Sequence, residues 1–70
     1  MNEKHDLNIT PRDRLMYAWE VSMSLVRVYR SYAAESAEDA AASQLFEEIA
    51  RQECENASRL LQLLHEEEDG

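Results

Sequence analysis

Between Ala42 and Leu63 the chain sets residues at alternating steps of four and three: Ala42, Phe46, Ile49, Glu53, Asn56, Leu60 and Leu63. On a helix this series falls on one stripe, so Glu53 and Asn56 point where leucine would be expected. A second stripe beside it, Ala50, Cys54, Ala57, Leu61 and Leu64, widens the apolar face well beyond a coiled-coil line. An ionisable group inside such a face is costly unless it is paired or binds something. Upstream, Leu15, Met16, Trp19, Met23, Val26, Tyr29 and Ala33 carry the same helical spacing, and Glu20 lies one turn from both Met16 and Met23. Glu20 therefore borders an apolar side.

The helix starts are written in the polar residues. In Thr10-Pro11-Arg12-Asp13, Thr10 suits the cap, Pro11 the first helical position, and Asp13 a bond back to the cap backbone, which predicts a helix over about 11–34. Ser36-Ala37-Glu38-Asp39 repeats the pattern and predicts a second helix over about 37–67, joined to the first by two or three residues. So short a connection makes the helices antiparallel neighbours. Residues 1–9 show no periodicity and read as a flexible tail containing His5, with Ile9 placed as a hydrophobic staple; 10–67 form the hairpin and 68–70 an acidic tail. Four consecutive acids after His65 sit at the negative end of the helix dipole, which predicts fraying from His65 to Asp69.

The fold class is all-α, and a hairpin alone leaves both apolar faces half covered. Seventy residues, one Cys and no Cys/His cluster provide neither a large core nor a disulfide or metal staple. A single core of this size supplies about 3–5 kcal/mol at most, which leaves oligomerisation as the remaining support. The smallest repair is a two-fold homodimer forming a four-helix bundle, with Met16, Trp19, Met23, Phe46, Ile49, Leu60 and Leu63 in its core. A larger even assembly and a further protein partner fit the same pattern.

Charge narrows the function classes. Residues 12–34 carry Arg12, Arg14, Arg27 and Arg30 against Asp13 and Glu20, a balance of +2; residues 35–70 carry Arg51 and Arg59 against eleven acids, a balance of −9. The two halves attract, while the net charge of −8 repels phosphates and argues against a nucleic-acid binder. The lone Cys, the polar stretch MNEKHDLN and the lack of a long apolar run lead to the expectation of a cytoplasmic protein without a membrane span. Phosphate loops, nucleophile elbows and Cys-x-x-Cys pairs are absent.

The polar positions also carry a resemblance. Phe46-x-x-x-Ala50-x-x-Glu53-x-x-Asn56-Ala57 resembles the rubrerythrin phrase F-x-x-x-A-x-x-E-x-x-H-A, and Glu20 precedes Glu53 by 33 residues. The likeness covers most of residues 15–64 and is to the ferritin-like, rubrerythrin-type superfamily, of which this chain would be a half-length member. That resemblance implies a bundle with inward-facing carboxylates, one Glu on each of two helices and a Glu-x-x-His on each of the others, holding two metal ions at the dimer centre. Glu20, Glu53 and Asn56 are then the candidate ligands, for iron, manganese or another divalent cation. Asn56 stands where histidine belongs, and an amide oxygen is a much weaker iron ligand than imidazole. A charge-compensated network is the other outcome: Arg27, two turns from Glu20, would neutralise the carboxylates in place of a metal. The expected function is a small ferritin-like homodimer with a degenerate di-metal site and a structural or protein-interaction role, more in keeping with a non-enzyme. The alternative is a rubrerythrin-like di-iron oxidase or peroxidase assembled across the dimer.

Overall fold

The computed structural model describes residues 9–69, with side chains to residue 67. The expected tails at 1–9 and 68–70, His5 included, fall outside that range except for Ile9 and the backbone of 68 and 69. Helix α1 spans Pro11–Glu35 and helix α2 spans Ala40–Asp69, and the two pack against each other as a hairpin. Among the described residues there is no third element.

Helix α1 starts where its polar residues dictate. The Asp13 N–H donates to Thr10 Oγ1 and the Thr10 N–H donates to Asp13 Oδ2, both at 3.1 Å, closing a reciprocal capping box with Pro11 at the first helical position. The bond from the Thr10 backbone, followed by the contact with the Thr10 side chain, holds the Asp13 carboxyl below its ordinary value. Ile9, just before the cap, is exposed and borders a shallow recess with Asp13, Arg14, Tyr17 and Ala18.

The turn differs from the expectation by about three residues. Ser36 closes α1 instead of opening α2, its N–H donating to the carbonyls of Tyr32 and Ala33. Asp39 then takes the cap, with Oδ1 accepting from the Ala42 N–H at 3.2 Å and its carbonyl accepting from the Ser43 N–H. Two candidate caps three residues apart divide the work between the end of one helix and the start of the next. The backbone of α2 continues to Asp69, two residues past the expected end.

The seam between the helices is built from small residues. Val26, Ala33, Ala50 and Ala57 are each only 2 % exposed, and Ser22 and Leu64 complete the buried set. Ser43, Ala50, Ala57 and Leu64 recur every seven residues, so the second of the two stripes on α2, and not the one carrying Glu53, faces α1. At the turn, Ser43 Oγ donates to the Ala33 carbonyl at 2.9 Å across the hairpin. Tyr29, Tyr32 and Phe46 close that end as an aromatic cluster with centroids 5.4–6.3 Å apart. The thinnest Cα extent is 11 Å, the depth of one layer of helices, whereas stable domains stack at least two.

Candidate functional site

The groove along one face of the hairpin is lined by Tyr17, Ala18, Val21 and Leu25 from α1 and by Glu53, Asn56, Leu60 and Leu63 from α2, with Ser22 at its floor and Arg59 at its edge. Its volume is about 760 Å³. Helical spacing explains the membership: on α1 the residues step by three or four from Tyr17 to Leu25, and on α2 the Glu53–Leu63 stripe sits one position around the helix from the buried Ala50–Ala57 seam. The stripe that the sequence marked with two polar residues is thus the wall of an open groove.

The side chains of this wall are large and apolar yet uncovered. Tyr17 is 69 % exposed and Leu63 45 %, and Val21, Val28, Tyr32 and Leu45 are exposed as well. Glu53 is half-buried and Asn56 exposed. Neither these two nor Arg59 has a hydrogen-bond or ion-pair partner among the described residues. Elsewhere no buried side-chain nitrogen or oxygen among the described residues lacks a partner. The interior among the described residues is therefore satisfied, while Glu53 and Asn56 stand unmatched in an otherwise largely apolar groove wall.

The hairpin does not bring the predicted ligands together. Glu20 is exposed on the outer surface of α1, beside Tyr17, Val21, Ser24, Leu25 and Val28. It is two positions from the groove residues Ala18 and Ser22, which is about 160° around the helix. Arg27 is exposed on that same side, and its Nη2 donates to Ser24 Oγ at 3.2 Å, with no carboxylate partner among the described residues. Among the described residues no three of His, Cys, Asp and Glu group as metal ligands. One hairpin by itself therefore assembles no ligand group among the described residues, whereas the centre that the resemblance implies lies between two copies.

The expected dimer core divides in the same way. Phe46, Ile49, Leu60 and Leu63 are on the groove side, and half-buried Trp19 is close to the seam. Met16 and Met23, half-buried, lie on the flank away from the groove with half-buried Cys54 and Leu61. Sequence reasoning missed Tyr17, Val21, Leu25 and Val28. Their spacing of four, four and three was available as the signal, but the stripe through Met16 and Met23 overlaps it and contains the Trp.

Comparisons with protein-family models, with curated proteins and with solved structures return no match. None of the helices is long and apolar enough to cross a membrane among the described residues.

Proposed function

We propose that this chain is an association module: a helical hairpin that covers its groove with a second copy to form a homodimeric four-helix bundle, with a structural or protein-interaction role and a metal centre reduced to polar residues. The observation that carries this reading is the uncovered groove, where Tyr17, Val21 and Leu63 are exposed while the buried seam holds three alanines, a serine, Val26 and Leu64. The face measures about 37 Å along α1 and about 20 Å across two helices, hence roughly 750 Å². A stable interface needs about 800 Å² from each partner, so the face is of the right size for one complete contact. Sedimentation at micromolar concentration should give a species of twice the 8.1 kDa chain mass or more. A folded monomer would overturn the proposal.

The ferritin-like likeness supports the bundle more than the chemistry. A di-iron oxidase or peroxidase needs Glu20 at the same centre as Glu53, and Glu20 is on the outer surface of α1. In the reading favoured here Glu53 and Asn56 hold the bundle in register instead of holding ions.

A further inference from the structure

We infer that the two copies pack with their shared two-fold axis perpendicular to the helices, so that α1 lies antiparallel on α1 of the partner and α2 antiparallel on α2 of the partner, and that Glu53 accepts a hydrogen bond from the partner's Asn56. This rests on the self-association proposed above and assigns its geometry. The groove stripe of α2 is symmetric in chemistry about the point between Cys54 and Glu55: Glu53 and Asn56 are equally far from it, as are Ile49 and Leu60, and Phe46 and Leu63. Laid antiparallel on itself, the stripe sets Phe46 on the partner's Leu63, Ile49 on the partner's Leu60, and a carboxylate on an amide that can donate to it. Apolar meets apolar, and polar meets polar.

Helix α1 accepts the same axis. The Ser43 bond to the Ala33 carbonyl and the stacking of Tyr29 on Phe46 fix the register of the two helices, and carried along the hairpin it puts Val21 level with the point between Cys54 and Glu55. The axis then sets Val21 on the partner's Val21 and Tyr17 on the partner's Leu25, all of them groove residues. One axis therefore serves both helices. The partner's Arg59 then sits about 4.5 Å along the helix from the point opposite Glu53, within reach of that carboxylate.

A bundle with its axis along the helices is the competing arrangement, and polar satisfaction decides against it. It would lay α2 on α1 of the partner at the same level, so that Glu53 and Asn56 met Ala18, Val21 and the buried Ser22, whose single hydroxyl is the one polar side chain among these three groove residues. A buried polar group left unpaired is penalised, more so when charged, and symmetry would double that cost. The perpendicular axis pairs the same groups with each other. A polar pair amid an apolar seam is also what fixes register in helix bundles.

The test uses nitroxide labels at three exposed positions of α2, Glu48, Gln52 and Glu66, one at a time, on the full chain carrying Cys54→Ala to remove the native thiol. Double electron–electron resonance reads the distance between equivalent labels in the dimer. With the axis between Cys54 and Glu55, the axial part of that distance is about 8 Å at 52, about 20 Å at 48 and about 35 Å at 66, at 1.5 Å per residue. The expected order is 52 shortest and 66 longest. Distances with no such axial dependence, or a minimum at 48 or 66, would overturn the inferred axis while leaving the dimer intact. Absence of any coupling, with monomers in sedimentation, would instead overturn the self-association on which it rests.

Discussion

The seam inside the hairpin and the groove on its face are made of opposite materials. Buried inside are Ser22, Val26, Ala33, Ala50, Ala57 and, at the open end, Leu64; on the groove are exposed Tyr17, Val21 and Leu63 with half-buried Leu25 and Leu60. A monomer stabilised by its own core would reverse this, since burying a large aliphatic or aromatic side chain contributes about 1.5–3 kcal/mol and an alanine far less. Small residues in the seam let the two helices approach closely and keep the hairpin flat. The large ones are left for a second layer. The division gives the two faces different tasks in the proposed dimer: the seam sets the shape of the hairpin, and the covered groove would supply most of the stability.

The largest expected effect comes from breaking the groove. Leu60→Asp places a charge beside Glu53 in both copies, on a wall that becomes buried in the dimer. Deleting a buried leucine costs about 2–5 kcal/mol before the charge is counted, and a chain of this size has about 3–5 kcal/mol in total. The variant should therefore lose helical circular dichroism at micromolar concentration if, as proposed, association and folding are one event. A folded monomer of Leu60→Asp would show that the small-residue seam is sufficient by itself.

A smaller effect is expected on the other side of the comparison. Ala57→Leu adds three carbons to a position only 2 % exposed, where α1 leaves no room. Overpacking of this kind costs about 1–3 kcal/mol, so the variant should still fold and dimerise but unfold at lower urea. Stabilisation by Ala57→Leu would mean that the helices can separate, and that the seam does not hold the shape of the hairpin.

The same contrast explains what could be read in advance. Caps, breakers and 3.6-residue periodicity are local, so the Thr10 start of α1 and the antiparallel pairing were legible to within a few residues. The shift of the second cap from Ser36 to Asp39 was not, because two good caps three residues apart compete and only the packed turn chooses between them. Which apolar stripe faces inward was hidden for a different reason. Hydrophobicity ranks Phe46, Ile49, Leu60 and Leu63 above Ala50 and Ala57, whereas close helix packing favours the alanines. Glu53 and Asn56 were legible as anomalies in a stripe, and they do reach one groove. Glu20 was not legible as an outsider, since a residue bordering an apolar stripe can turn either way, and the stripe used to place it was not the one that lines the groove.

The smallest expected effect is at Arg27, and it checks which flank of the hairpin is covered. Arg27 is exposed, and its side chain bonds only to the neighbouring Ser24 hydroxyl, with Glu20 unpaired nearby on the same outer surface. If the second copy covers the groove, this flank remains in water, and Arg27→Leu should change the urea midpoint of the dimer by the equivalent of less than about 0.5 kcal/mol, the range of ordinary surface substitutions. If the copies met through the other flank, Arg27 would face carboxylates brought together by association, and removing it would leave them buried and uncompensated. That loss is about 3–5 kcal/mol for a broken buried pair, several times the surface value, so equilibrium unfolding at one protein concentration separates the two cases. A large loss would place Met16, Met23 and Glu20 at the interface and return the four-carboxylate centre to consideration. A small one leaves the groove as the face that a second copy covers.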